Sequence, residues 1–258
     1  MALALPTLRI GETQLNRWRA GLGLPPIGWR QHIRALRRLP HLFGYSPSIL
    51  PKPVDWPAEA HVTGYWFLDG PGGYTPPPDL AAFLAAGPPP IAIGFSSQVS
   101  GDPAALTRAV IDGVTRAGVR AVVVTGFGGL SGVAFPPHVF PVTTVPYDWL
   151  LARVSAMVHQ GGAGSTGAAV RAGIPNMAVP FGFDQGLWGQ RLFELGVSPA
   201  PVAATALSAE RLAAALTALT SDGRMRANAA ALGARVRAED GVGTAVRLVL
   251  EAADRGRA

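Results

Sequence analysis

The sequence predicts an α/β fold, a Rossmann-like doubly wound parallel sheet that follows an N-terminal linker segment. From about residue 79 onward, short apolar strands alternate with Ala-rich helices. Hydrophobic residues make up 48% of the 258-residue chain, and Gly and Pro are frequent. Alternating strands and helices are typical of a parallel sheet that is covered on both faces, and this length and hydrophobicity suffice for a sizeable core.

The apolar runs predict five strands in this region, and the segments between and after them predict seven helices. The predicted strands are 91–95, 120–126, 140–145, 155–159 and 176–180. The predicted helices are 102–117, 147–154, 163–172, 185–195, 208–220, 222–237 and 242–255.

Residues 1–78 differ in character from the rest of the chain, so we place a domain boundary there, with a second domain at 79–258. The stretch 9–38 predicts two short Arg-rich helices interrupted by "GLPPIG". The prolines that follow favour extended segments and turns, with one strand near "HVTGYWF".

Composition excludes several classes of protein. The formal net charge is +6, but nearly all basic residues are scattered arginines and Lys52 is the only lysine, so we predict no nucleic-acid partner. The absence of cysteine excludes disulfides, a thiol nucleophile and a Cys-ligated metal. We find neither a signal peptide nor an uninterrupted apolar run of transmembrane length, which predicts a cytoplasmic protein. Contact of the Arg-rich helices with a membrane stays open, a solvated or domain-packing role being favoured.

The stretch "QGGAGST" connects the strand "SAMVH" to a helix and predicts an anion site. Glycines let the backbone approach a ligand closely, and the unpaired N–H groups at a helix amino end favour negative charge. A phosphate or pyrophosphate is the natural occupant. Two other interpretations remain: the glycines could merely permit tight packing, or the turn could be a dinucleotide fingerprint.

The fingerprint alternative rests on Gly162, Gly164 and Gly167, with Asp184 twenty residues past Gly164. It would indicate an NAD(P)-binding oxidoreductase. Against it, the fingerprint normally opens the first βαβ unit, whereas at least two strands and a helix of the same sheet precede this turn. A nucleotide sugar suits the pattern better, because His159 ends the strand before the turn, and Asp184 and Gln185 follow the next strand at the same edge.

The stretch "MVHQGGAGSTGAAVRAGIPNMAVPFGFDQGLWGQRLFELGV" resembles the donor-binding signature of GT-B, family 1 glycosyltransferases, especially sterol glucosyltransferases and bacterial antibiotic glycosyltransferases. The stretches "SPSILPKPVDWP", "FLAAGPPPIAIGFSS" and "AEDGVGTAVRLVLE" extend the resemblance over the whole chain. It implies that 79–258 is the nucleotide-sugar donor-binding domain and that 1–78 is a remnant of the acceptor domain plus the interdomain linker.

The resemblance also implies roles for individual residues. The group that would hold the donor diphosphate is Ser97, His159, Gly161, Gly162, Ala163, Gly164 and Ser165. Asp184 and Gln185 would bind sugar hydroxyls, and Val145 would offer backbone groups to the nucleotide base. Gln160 and Ser96 depart from the family pattern, in which a second histidine and a glycine are usual. Trp188 is interpreted as a packing residue.

The implied reaction is transfer of a hexosyl group, glucose above all, from a UDP- or dTDP-sugar to a hydroxyl of a hydrophobic acceptor such as a sterol, lipid or natural-product aglycone. No cofactor or metal is expected, since the histidines form no ligand-spaced cluster and no Asp-x-Asp pair occurs. The catalytic residue is unknown, because the family's base lies in an N-terminal acceptor domain. A separate acceptor-domain chain is therefore one conceivable partner. The alternative is a truncated or split chain that binds nucleotide sugar without turnover.

Overall fold

A computed structural model describes residues 4–36, 39–68, 73–96, 98, 101–126 and 129–255. Its contacts divide the chain into two compact units. Unit 1 consists of 1–43, 52–62 and 243–258, and unit 2 consists of 44–51 and 63–242. This division does not coincide with the predicted boundary at residue 79, because the segments 44–51 and 63–78 make their contacts within unit 2.

Unit 1 contains the helices α1 (Ala4–Gly21) and α2 (Trp29–Leu36) and the short strands β1 (His41–Phe43) and β2 (Ala60–Val62), which pair in parallel. The two predicted Arg-rich helices are thus confirmed. The connection between them is held by Asn16, whose side chain accepts the Ile27 N–H at 2.8 Å and donates to the Ile27 carbonyl at 3.1 Å. Strand β1 was not predicted, because three residues are too few to show a period.

The sheet of unit 2 confirms the predicted fold class. Its strands are β3 (Ile91–Gly94), β4 (Ala121–Val124), β5 (Val139–Val142), β6 (Ala156–His159) and β7 (Asn176–Ala178). They are parallel and lie in the order β5-β4-β3-β6-β7. The chain runs outward from β3 to one edge and then returns to place β6 on the other side of β3. The topological switch point therefore lies between β3 and β6, where open α/β sheets bind ligands.

Helices lie before, between and after the strands of this sheet. They are α3 (Pro78–Ala85), α4 (Pro103–Ala117), α5 (Tyr147–Leu151), α6 (Ala163–Ala172), α7 (Gln185–Glu194), α8 (Ala209–Ser221), α9 (Gly223–Arg237) and α10 (Gly241–Arg255), whose residues from 243 onward are grouped with unit 1. Helix α3 was not predicted, and α5 is shorter than predicted. Within the described residues, no helix has the length and apolar character needed to cross a bilayer.

The two faces of the sheet carry separate apolar clusters, because neighbouring strand residues point to opposite sides. Ile91 and Ile93 belong to one cluster and Ala92, between them, belongs to the other. The first cluster includes α4 and α8, which approach closely at Gly113: a Cβ there would lie 2.9 Å from the Leu212 side chain. The sheet is therefore packed on both faces.

Candidate functional site

The ends of three strands meet at the carboxyl edge of the sheet. Gly94 at the end of β3 pairs with His159 at the end of β6, and His159 pairs with Ala178 at the end of β7. The loops that leave these strands therefore start side by side. This is the switch point of the sheet, so the predicted glycine turn and the predicted Asp-Gln loop are neighbours in space.

The glycine turn ends in an uncapped helix. Gly161 has a left-handed backbone (φ 85°), and Gly162 is the N-cap residue of α6 with no side-chain cap. The first intrahelical bond runs from the Thr166 N–H to the Gly162 carbonyl at 2.9 Å. The N–H groups of the first turn, those of Ala163, Gly164 and Ser165, together with the helix dipole, can bind an anion.

Gln160 lies over this turn and was not among the predicted site residues. Its Nε2 donates to Ser165 Oγ at 3.2 Å, and the residue is buried. Within the part of the chain that the structure describes, Gln160 Oε1 and Thr166 Oγ1 are buried and have no hydrogen-bond partner. The sequence signal for Gln160 was its place in the motif, where the family usually has a second histidine.

His159 is fully buried, and protein groups engage both of its ring nitrogens. Nδ1 accepts the N–H of Gly161 at 3.0 Å, and Nε2 lies 3.0 Å from Asn176 Oδ1. Burial lowers the pKa of His159 to about 4, an effect that the bond to Asn176 partly opposes. The predicted direct contact between His159 and a phosphate stays a prediction, and in this structure it requires one of these two bonds to break.

The Asp-Gln loop connects β7 to α7. Gln185 is buried, and its Oε1 accepts the N–H of Phe181 at 2.7 Å and of Gly182 at 3.3 Å. Its backbone carbonyl packs against the glycine turn, since a Cβ on Gly161 would lie 2.8 Å from that oxygen. Phe183, next to Asp184, is fully exposed and has a left-handed backbone (φ 56°). The structure thus brings the predicted phosphate and sugar residues together.

Asp184 is exposed, and Trp188 orients its carboxylate. The indole N–H of Trp188 donates to Asp184 Oδ2 at 2.8 Å, one helical turn further on. The Trp188 ring is buried and meets the Tyr45 ring edge-on at 5.4 Å. Trp188 therefore packs, as predicted, and in addition positions a predicted site residue. The spacing of Asp184 and Trp188 at i and i+4 was the signal for this contact.

Two predicted site residues remain, Ser97 and Val145. Ser97 lies outside the described residues. Its neighbour Ser96 has a left-handed backbone (φ 56°), a conformation that glycine adopts more readily and that explains why glycine is usual there. The Val145 side chain is buried in a core cluster. Tyr147, two residues further on, was missed: its hydroxyl would lie 3.2 Å from a Cβ on Gly94, and burial raises its pKa.

No group of three His, Cys, Asp or Glu residues that could hold a metal ion occurs among the described residues. The polar groups at the edge are instead backbone N–H groups, two carboxamides, a carboxylate and hydroxyls. Such a set can bind a phosphate at the helix end and hydroxyls at the Asp-Gln loop.

This sheet has the fold of the C-terminal half of GT-B glycosyltransferases. The same fold occurs in the glycotransferase of kitacinnamycin (TM-score 0.69, 18% identity), where the match covers 100% of this chain and 66% of the other. It also occurs in the calicheamicin glycosyltransferase (TM-score 0.65, 20% identity), over 94% of this chain and 59% of the other.

Residues 109–247, just over half of the chain, match the family model described as erythromycin biosynthesis protein CIII-like, C-terminal domain. The chain belongs to this family. Sterol 3-beta-glucosyltransferase of Aspergillus clavatus is 40% identical over an alignment 251 residues long, and this alignment covers 92% of this chain and 17% of the relative. The enzyme of the same name from Leptosphaeria maculans is 37% identical over an alignment 257 residues long, which covers 95% of this chain and 17% of the relative. The chain thus spans about a sixth of the length of these relatives.

Proposed function

We propose that this chain binds the donor in a glycosyltransferase that moves a hexosyl group, glucose above all, from a UDP- or dTDP-sugar to a hydroxyl of a hydrophobic acceptor such as a sterol, lipid or aglycone. The support comes from the site geometry and from relatives named as sterol glucosyltransferases. The observation that carries the proposal is the uncapped amino end of α6 at the switch point, directly beside the Asp-Gln loop.

The amino end of α6 suits a leaving diphosphate. When the acceptor oxygen attacks the anomeric carbon, the bond from that carbon to the phosphate oxygen breaks and negative charge builds on the nucleoside diphosphate. The N–H groups of Ala163, Gly164 and Ser165 and the helix dipole stabilise this charge, and they are in place before the reaction. The proposal assigns no metal to the reaction, so chelation with EDTA should leave donor binding unchanged.

The Asp-Gln loop suits the sugar. Asp184 Oδ2 is held by Trp188, which leaves Oδ1 of the carboxylate to accept a sugar hydroxyl. Gln185 Oε1 already accepts two backbone N–H groups, so the proposal assigns its amide NH₂ to the sugar. Backbone groups at Val145 are assigned to the base, and the Ser97 hydroxyl to the diphosphate.

The base that takes the proton of the acceptor hydroxyl is assigned to an acceptor domain, as the family resemblance implies. That domain, whether it belongs to the same polypeptide or to a separate chain, would also exclude water from the diphosphate. We propose a cytoplasmic location for the protein, as expected from the sequence. Fractionation of the source cells tests this location.

Donor binding is tested by a thermal-shift panel of UDP-glucose, dTDP-glucose, GDP-mannose and NAD. A uridine or thymidine diphosphate ligand should raise the unfolding midpoint, because a ligand present at about a hundredfold its Kd stabilises the folded state by about 2.7 kcal/mol. A response to NAD alone would contradict the proposal and favour the dinucleotide interpretation of the glycine turn.

The sugar assignment is tested by Asp184→Ala, with Asp222→Ala as the matched control. Asp222 caps α9 by accepting the N–H groups of Arg224 and Met225, at 2.8 and 3.0 Å. The control should therefore lower stability by about 1 kcal/mol without changing ligand affinity. Asp184→Ala should weaken UDP-glucose by about 1.5 to 3 kcal/mol and leave UDP unchanged. Equal losses for both ligands would place Asp184 away from the sugar.

Turnover is tested by incubating the chain with UDP-glucose and a panel of sterols and aglycones, alone and with a separately expressed acceptor domain of a relative. The chain alone should bind donor without useful transfer, since general base catalysis contributes about 10² to 10⁴-fold and acceptor alignment contributes more. Donor binding without transfer under both conditions would support the alternative, a binding module. Transfer by the chain alone would show that the catalytic base lies within these residues.

A further inference from the structure

The hydrogen bonds around His159 define the protonation of its ring. A backbone N–H can only donate, so Nδ1, which accepts the N–H of Gly161 at 3.0 Å, carries no proton. The proton of the neutral ring is therefore on Nε2, which donates to Asn176 Oδ1 at 3.0 Å. His159 and Asn176 are both fully buried, so water does not compete for these bonds.

The orientation of the Asn176 carboxamide is fixed as well. Its Nδ2 donates to the Ile174 carbonyl at 3.3 Å, which turns Oδ1 towards His159. Asn176 opens β7, and its backbone N–H donates to the Val197 carbonyl at 3.2 Å. Asn176, whose amide oxygen selects the histidine tautomer, is thus held in place by hydrogen bonds of both its side chain and its backbone.

Gly161 lies at the other end of this series of hydrogen bonds, where the glycine turn begins. Its left-handed backbone (φ 85°) and its close approach to the Gln185 carbonyl leave little freedom in how the turn is placed. The Gly161 N–H is directed inward to His159, and the N–H groups that follow Gly162 belong to the uncapped first turn of α6.

We propose that Asn176 is a positioning residue for the diphosphate site: it holds His159 in the Nε2-protonated tautomer, and His159 in turn fixes the Gly161 N–H and aims the first turn of α6 at the donor. This inference rests on the proposed function, because it takes the occupant of the turn to be a nucleoside diphosphate. It assigns His159 a role beneath the turn rather than in contact with phosphate.

The series of hydrogen bonds from Asn176 through His159 to the Gly161 N–H, which we call the relay, can be observed in the unligated, unmutated chain, independently of donor binding. Long-range ¹H–¹⁵N NMR of ¹⁵N-histidine-labelled protein at neutral pH should show His159 protonated at Nε2 and not at Nδ1. The Gly161 amide should exchange slowly with solvent. A ring protonated at Nδ1, or a rapidly exchanging Gly161 amide, would overturn the relay even if the proposed function holds. Failure of the unmutated chain to bind UDP would overturn the proposed function while these two measurements still decide the relay.

The functional consequence is tested with two substitutions of similar size. Asn176→Leu removes the acceptor for Nε2–H, whereas Asn176→Asp keeps an oxygen in its place. Asn176→Leu should weaken UDP about tenfold, as expected for one lost hydrogen bond, and leave uridine affinity unchanged, because uridine has no diphosphate. Asn176→Asp should retain the Nε2-protonated ring and most of the UDP affinity.

Asn228→Leu is the matched control, since Asn228 also donates its side-chain amide to a backbone carbonyl, that of Gly196 at 3.1 Å. It should lower stability without changing the His159 tautomer or the affinity for UDP. If Asn176→Leu weakened UDP and uridine equally, or if Asn176→Asp failed to restore UDP binding while keeping the tautomer, the positioning role would be refuted. If Asn176→Leu does not fold, the tautomer and the Gly161 exchange rate in the unmutated chain remain the deciding measurements.

Discussion

Gly161→Ala should damage the fold and the site together, because the structure leaves no space for a methyl group. At φ 85° an L-residue is strained, and the new Cβ would lie 2.8 Å from the Gln185 carbonyl oxygen and 3.1 Å from the Ala178 Cβ. The left-handed backbone costs about 1 kcal/mol. The oxygen is a backbone atom, so no change of rotamer relieves the clash and the Asp-Gln loop must shift. We expect a loss of about 2 to 4 kcal/mol in the free energy of unfolding.

Gly164→Ala, three residues further on, should behave in the opposite way. Nothing lies within 4 Å of a Cβ at this position, and the residue is in the first turn of α6. Alanine favours a helix over glycine by about 1 kcal/mol, so stability should be unchanged or raised. The added methyl group would, however, occupy the space beside the N–H groups that we assign to the diphosphate. UDP affinity should therefore fall although the fold is intact.

Urea unfolding followed by the fluorescence of the six tryptophans, together with calorimetric titration of UDP, separates the two outcomes. An unchanged denaturant slope with a lower midpoint would show that Gly161→Ala acts on stability. If this variant unfolded and bound UDP as the unmutated chain does, the strained turn and its contact with Gln185 would be refuted. If Gly164→Ala kept full UDP affinity, the diphosphate would not lie against the first turn of α6.

Three further outcomes are expected. Trp188→Phe keeps a ring but removes the indole N–H that donates to Asp184. Calorimetry should therefore show the binding of UDP-glucose weakened by about 1 kcal/mol and the binding of UDP unchanged, and an equal loss for both ligands would contradict the orienting role of Trp188. The pKa of His159 is about 4 in the folded chain against 6.5 for the free group, so the unfolded state takes up the proton first. The contribution of His159 to the free energy of unfolding should therefore be constant above about pH 6.5 and fall by about 3 kcal/mol towards pH 4. It is measured as the difference in urea midpoint between the unmutated chain and a His159→Gln variant, and a difference that does not change with pH would refute this. Phe183→Gly should raise the midpoint of thermal unfolding slightly, because glycine adopts the left-handed backbone of this position without strain. Leu68→Gly, a control at an equally exposed residue, should not raise it. A higher midpoint for Leu68→Gly than for Phe183→Gly would show that Phe183 is unstrained.

The sequence predicted the bounds of secondary structure best where neighbouring residues determine them. Helices α4, α6, α7, α8, α9 and α10 begin and end within one residue of the predicted bounds, because their caps and periodicity are written in neighbouring residues. Asp102 before Pro103 and Gly118 after α4 are examples: the Asp102 side chain caps the Ala105 N–H at 2.8 Å, and Gly118 is left-handed (φ 65°). Strands β3 to β7 were each predicted in place but longer than observed, because the sequence does not mark the residue at which the pairing between strands ends.

The order of the strands along the chain was also enough to predict which loops would share an edge. Parallel strands joined by helices place their carboxyl ends on one side of the sheet. The glycine turn after His159 and the loop at Asp184 were therefore predicted as neighbours, and the contact between Gly161 and the Gln185 carbonyl places them together. Strand β2 (Ala60–Val62) lies at the start of the strand predicted near "HVTGYWF", whereas β1 has only three residues and offered no signal for its pairing with β2.

The sequence by itself determined the alternation of strands and helices, the position of the glycine turn and the types of residue at the sheet edge, because periodicity, caps and motifs are properties of neighbouring residues. Only the tertiary structure decided where each side chain of the site points. It turns His159 inward between Asn176 and Gly161, and it ties Asp184 to Trp188. The physical reason is that burial and hydrogen-bond partners depend on which segments the fold brings into contact, and residues from different strands acquire those partners only when the sheet forms.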